Sequence, residues 1–155
     1  MDYTEFDIQT RYYRAPEITL GYRYNKNCDM WSVGCLIFEL LTGETLFNPD
    51  KKKRFGRDSF HILEMVNMLG KFPDDLLEQA KFKNVFFKNN GLLRGVHKLD
   101  YNPLYKVLTE YFSDREDFNP EQLFLTIDFM HKLLDYYPER RPTAKIALEH
   151  KWFKV

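Results

Sequence analysis

The chain has 155 residues, 44% apolar and 30% charged, which is the range of one compact domain and not the composition of a disordered chain. Lysine plus arginine and aspartate plus glutamate both number 23, so the zero net charge gives no electrostatic case for direct nucleic-acid binding. No apolar run approaches the ~20 residues that cross a bilayer, and Met1-Asp2-Tyr3-Thr4-Glu5 has neither the basic start nor the apolar stretch of a signal peptide. An intracellular protein, of cytoplasm, nucleus or both, is expected.

Residues 1–11 read as extended or loop-like, and a short helix is predicted over 15–20, around Pro16. Asp29 through Thr42 carries a strong helix pattern, with Asp29 as N-cap and Gly43 as the residue that ends it. That helix is apolar almost all round, which belongs in the middle of a core. Residues 50–57 form a polar, basic loop, and 59–69 a helix stopped by Gly70. A proline-started turn begins at Pro73, and 81–101 read as irregular, with Phe82, Phe86 and Phe87 among Lys and Asn. Further helices are predicted after Asn102-Pro103 and after Asn119-Pro120, the latter with Gln122 at the capping-box position. Leu123, Ile127, Met130 and Leu134 continue it at helical spacing, and a last helix over 143–149 is capped by Thr143. No segment alternates as a strand does, so the fold class is mainly α.

Cys28 and Cys35 lie seven residues apart on one helical stretch, about 10 Å at 1.5 Å per residue, beyond disulfide reach. They read as reduced core residues. The 4 histidines show no ligand spacing, so no metal site is expected.

Three motifs in order carry a resemblance. Thr10-Arg11-Tyr12-Tyr13-Arg14-Ala15-Pro16-Glu17 resembles the end of a protein-kinase activation segment. Asp29-Met30-Trp31-Ser32-Val33-Gly34-Cys35 resembles the start of the kinase F helix, and Pro138-Glu139-Arg140-Arg141-Pro142-Thr143 the loop before the last kinase helix. Tyr13-Arg14 and Gly43-x-x-Leu46-Phe47 resemble the CMGC group, which holds the cyclin-dependent, MAP, dual-specificity and SR-protein kinases. Ile8-Gln9-Thr10-Arg11, the stretch from Arg57-Asp58 through His61-Ile62 and Leu69-Gly70-Lys71 to Pro73, then Phe86-Phe87 and Leu99, are most similar to the SR-protein kinases. Those enzymes phosphorylate serines in Arg-Ser repeats of splicing factors.

The resemblance implies a partial kinase C-lobe: 1–17 as the end of the activation segment, 29–42 as the F helix, 50–115 as the G helix and its insert, and 119–155 as the last helices. Thr10 would support the catalytic loop by a hydroxyl contact, and Arg11, Tyr12 and Arg14 would wall the substrate pocket. Glu17 and Arg141 would form a buried bidentate pair. Asp29 would cap its helix and, in an intact kinase, also bond the catalytic-loop backbone. Trp31 would fill core volume and Gly34 would permit close approach. A packing role for Tyr12 and Tyr13 stays open beside these. Tyr3 and Thr4 lie where relatives carry activating phosphates, and no such site is assigned to them. Lys51-Lys52-Lys53-Arg54 reads first as a solvated loop, with nuclear import and phosphate binding as alternatives.

The 155 residues contain no Gly-rich loop, Val-Ala-Ile-Lys, His-Arg-Asp or Asp-Phe-Gly. The fragment alone is therefore expected to bind neither ATP nor Mg²⁺, which belong to the full-length kinase, and to be inactive by itself. Docking of arginine-rich substrate is also in question. The family's two acidic groove positions fall at Phe60 and Asn67, its lysine at Tyr111 and its tryptophan at Asn102, while Asp58 and Glu64 stay acidic nearby. Three functions are weighed: a piece of a Ser/Thr kinase acting on protein, including arginine/serine-rich protein; a degenerate fragment serving as an interaction module; and a purely structural helical domain. Trp31, Leu36, Phe38 and Leu40 are expected to point outward from the F helix. The chain would then fold weakly unless the missing N-terminal half or a second copy covers them.

Overall fold

In the computed structural model, residues 8–50, 56–117 and 119–154 are described. Tyr3, Thr4 and the Lys51–Arg54 run lie outside them. Among the described residues eight helices run in order: α1 (Pro16–Leu20), α2 (Cys28–Thr42), α3 (Arg57–Leu69), α4 (Asp74–Gln79), α5 (Lys83–Phe86), α6 (Leu104–Phe112), α7 (Pro120–Leu133) and α8 (Ala144–Ala147). Single 3-10 turns lie at Arg11–Tyr13, Pro138–Arg140 and Lys151–Lys154. Among the described residues, strand pairing is limited to one antiparallel bridge between Phe87 and Leu93.

Local chemistry sets the ends of the longer helices. Asn119 accepts hydrogen bonds from the Glu121 and Gln122 amides, and Pro120 follows at the first helical position of α7. Thr143 accepts from the Ile146 amide to start α8. Gly43 closes α2 in the left-handed region, with φ of 76° and its amide bonded to the Glu39 carbonyl. The start of α2 differs from expectation. The helix begins at Cys28, Asn27 is the capping residue, and Asp29 lies exposed in the first turn without a capping bond. Asn27 points its amide the other way, donating to the carbonyls of Pro138 and Arg141 at 3.1 and 3.3 Å. Asn102 likewise is no side-chain cap. Pro103 holds that position for α6, and the Asn102 amide donates to the Asn67 carbonyl at 2.9 Å. The stretch after residue 80 carries the four-residue α5, stacked between loops.

α2 packs on α7 and on the first 3-10 turn, and α7 packs on α6 and the last turn. The core is aromatic. Trp31 is fully buried between Phe47 and Tyr136, with ring centroids at 6.0 and 6.3 Å. Tyr136 stacks on Phe72 at 3.9 Å, and Phe72 meets Phe87 edge-on at 6.0 Å. Phe38 is also buried, at 6% exposure. Trp31 and Phe38 therefore do not point outward: the rings of Phe47 and Tyr136 cover Trp31, and the chain itself buries both. What α2 does leave open is Val33, Leu36 and Leu40, at 36%, 43% and 84% exposure. Spaced 3 and 4 residues apart, they form one stripe.

Gly34 marks the closest approach of α2 to the end of α7. A Cβ there would stand 2.9 Å from Leu134 Cδ2 and 3.2 Å from Leu133 Cβ. Both leucines are buried, so Gly34→Val should destabilise by about 1–3 kcal/mol through overpacking. A urea melt with an unshifted midpoint would show that the helices separate freely.

Candidate functional site

The segment from Ile8 to Glu17 is fastened along its length. Gln9 adopts φ of 67°, the one non-glycine residue with positive φ among the described residues, a conformation that needs support from its surroundings. Its side chain supplies that support: Nε2 donates to the Cys28 carbonyl at 2.9 Å and to Ser32 Oγ at 3.0 Å, and Oε1 accepts the Ala15 amide at 2.9 Å. Its carbonyl accepts two bonds from the Arg14 guanidinium, at 3.0 and 3.3 Å. Arg14 is 6% exposed. A buried guanidinium facing a turned-in carbonyl locks this corner.

Beyond the corner, Thr10 is exposed and its carbonyl accepts the Tyr13 amide. Arg11 pairs with Asp58 in the first turn of α3. The Tyr12 hydroxyl donates to Asp50 at 2.7 Å, and Asp50 also faces Arg57 Nε at 2.7 Å, an ion-pair contact set off the hydrogen-bonding direction. The hydrogen bond to Asp50 raises the Tyr12 phenol above its ordinary pKa. Tyr13 donates to Glu39 of α2 at 2.7 Å. The residues read as a substrate wall thus form a ridge braced against α2 and α3. Asp58 and Glu64, the candidate docking acids, are both engaged within the chain: Asp58 with Arg11, and Glu64 with the Asn48 amide at 2.8 Å. The four altered groove positions are structural as well. Phe60 is buried, Asn67 Oδ1 accepts the Asp100 amide, the Asn102 amide bonds Asn67, and the Tyr111 hydroxyl donates to the Thr42 carbonyl.

At its far end the segment is stapled to the last helices. Arg141 donates to both Glu17 oxygens, at 2.5 and 2.8 Å, with both side chains fully buried. Its Nε donates to the Asp135 carbonyl at 2.7 Å, Nη1 also reaches the Asn27 carbonyl at 3.2 Å, and the guanidinium lies 5.2 Å from the Trp31 ring. Asn27 and Gln9 are the members of this assembly that sequence reasoning did not single out as site residues. The groups that accept from their side-chain amides lie 19 to 114 residues away, and the sequence marks Gln9 only as part of the Ile8-Gln9-Thr10-Arg11 resemblance.

Among the described residues no group of three or more His, Cys, Asp or Glu side chains could hold a metal ion.

The turned-in corner, the buried Glu–Arg staple and the helical layer behind them are the parts of a kinase C-terminal lobe. The protein kinase domain profile matches residues 3–153, and the chain belongs to the protein kinase family. Among its relatives, it is 40% identical to serine/threonine-protein kinase SKY1 of Saccharomyces cerevisiae, over 95% of this chain and 19% of that protein. It is 37% identical to SRSF protein kinase 3 of Homo sapiens, over 94% and 25%. The serine/threonine-protein kinase SRPK of Physarum polycephalum is 33% identical, over 94% and 34%. The chain thus spans from a fifth to a third of the length of these relatives.

Proposed function

We propose that this chain is the C-terminal portion of a serine/threonine protein kinase that moves a phosphate from ATP to a Ser or Thr hydroxyl of a protein, with arginine/serine-rich splicing factors as the substrate class. Its own part is positional. The ridge from Thr10 to Arg14 presents the substrate backbone, the exposed Thr10 offers its hydroxyl to the catalytic loop, and the Glu17–Arg141 staple keeps the ridge from rotating off α2. Nucleotide, metal and the catalytic base belong to the remainder of the domain, which would also cover Val33, Leu36 and Leu40. We assign the protein to the cell interior. The observation that carries the reading is the fastening of residues 9–17 at both ends by buried groups, an investment in shape that a passive surface loop does not need.

The experiment compares two lengths. The 155-residue chain, titrated with Mg-ATP in a calorimeter, should release no binding heat and should leave an Arg-Ser peptide unlabelled. The longest reading frame that contains it should label that peptide, and a Ser→Ala peptide should stay blank. Absence of labelling in the long form would favour the second reading, an interaction module. That reading draws on the same exposed stripe of α2, which predicts self-association of the isolated chain in sedimentation.

A further inference from the structure

Charge in this chain is balanced overall but not along its length. Between Gln79 and Leu99 there is no aspartate or glutamate, whereas Lys81, Lys83, Lys88, Arg94 and Lys98 all fall in that stretch. The fold sets Lys88 and Arg94 on one turn and Lys98 beside it. α5 runs into the Phe87–Leu93 bridge, where the Lys88 amide donates to the Leu92 carbonyl and the Arg94 amide to the Phe86 carbonyl, each at 2.8 Å. Lys81, Lys88, Arg94 and Lys98 are exposed.

A cleft of about 310 Å³ opens beside this turn. Val66 of α3, Phe72, Phe87, Leu93 and Val96 line it. Leu92 and Leu99 line it too, yet are 58% and 45% exposed, so two large apolar side chains stand at its mouth without cover. The titratable groups in the lining are Lys71, His97 and Lys98, and no carboxylate is among them. Lys71 already faces Asp74 at 2.9 Å, which leaves Lys98 as the main charge of the rim. An apolar cleft with Lys98 at its rim and Lys88 and Arg94 on the adjoining turn complements a ligand that has an apolar side chain to insert and carboxylates around it. The volume is at the small end for ligand pockets and suits one or two side chains of an extended peptide.

We propose that this cleft docks an extended segment of a partner protein in which one or two large apolar side chains are flanked by aspartate or glutamate. The site is separate from the ridge at residues 9–17 and does not depend on phosphate transfer.

The test is fluorescence anisotropy on the 155-residue chain with a labelled Asp-Glu-Leu-Phe-Asp-Glu peptide. Saturable binding is expected. Changing Leu-Phe to Ser-Ser, or the four carboxylates to amides, should each weaken it by about tenfold or more. Lys98→Glu and Leu92→Ser should each weaken it by about fivefold or more, while Lys145→Glu on α8 leaves it unchanged. All three substitutions are at exposed positions, and circular dichroism shows whether each variant is folded. Equal binding of the Ser-Ser peptide would reduce the effect to charge attraction and overturn the proposal. So would preference for an arginine-rich peptide, an oligonucleotide or anionic vesicles, or no saturation at about 1 mM peptide.

Discussion

Arg141→Ala should lower the stability of the fold by about 3–5 kcal/mol, because it leaves the Glu17 carboxylate buried without its partner. The pair itself is not a large net gain, since two ions had to leave water to form it. The loss arises from asymmetry. Alanine removes the donors to Glu17, to the Asp135 carbonyl and to the Asn27 carbonyl together. It also removes the cation beside Trp31. Domains are stable by only about 5–15 kcal/mol, so the variant should sit near its unfolding midpoint under conditions where the parent is folded. Arg141→Lys should recover part of the loss, because one ammonium cannot bond both oxygens in the plane of the fork. The double change Glu17→Leu with Arg141→Met should be milder than either alanine single, because it leaves no buried charge. Urea melts of the parent, the two alanine singles, Arg141→Lys and the double variant measure this. A loss of less than about 0.5 kcal/mol for Arg141→Ala would place the pair in solvent.

The second large effect is acid sensitivity centred on His61. Its side chain is fully buried, packs against Phe47 at 5.3 Å, and has no hydrogen-bond partner for either ring nitrogen among the described residues. Burial lowers its pKa from 6.5 to about 3, and the cations Arg14 and Arg11 push it the same way. Folded His61 is neutral, whereas the unfolded chain takes up a proton near pH 6.5. Below that value the unfolded state binds more protons, so the contribution of neutral His61 is complete above pH 6.5 and drains away as pH falls towards 3. At about 1.4 kcal/mol per unit, the drop from pH 7.5 to 5 should be about 2 kcal/mol. His61→Leu removes the titrating group and should flatten the pH dependence by that amount. Equal slopes for parent and variant in urea melts at the two pH values would show that the ring reaches solvent.

Much of the helical layer was legible in the sequence because its boundaries use local chemistry. Asn119-Pro120, Thr143 and Gly43 mark ends that depend only on residues within a turn. The kinase motifs also led to Glu17 and Arg141, although the 124 residues between them hide the contact from any local pattern. What could not be read depends on distant partners. Asp29 has a capping residue's chemistry, but Asn27 takes the position because Pro138 and Arg141 offer carbonyls to its amide. Trp31 looks exposed on a helical wheel that is apolar on every side, and only the placement of Phe47 and Tyr136 covers it. Gln9 gives no sign of a left-handed backbone in its residue type; the bonds that hold it come from α2 and Ala15. α5 is too short for a periodic signal and forms against aromatic neighbours.

The Glu17–Arg141 staple also bears on the order in which the chain can complete itself. The carboxylate is made 124 residues ahead of its counter-charge. At about 5–20 residues per second, a ribosome needs several seconds or more to cover that distance. Until then the α1 region cannot bury Glu17 as an ion without a heavy penalty, so a nascent chain should keep this segment open until Arg141 emerges. A premature stop between Leu133 and Arg141 would leave α1 to α7 encoded and Glu17 without its counter-charge. Quality control would meet it as an unfinished chain.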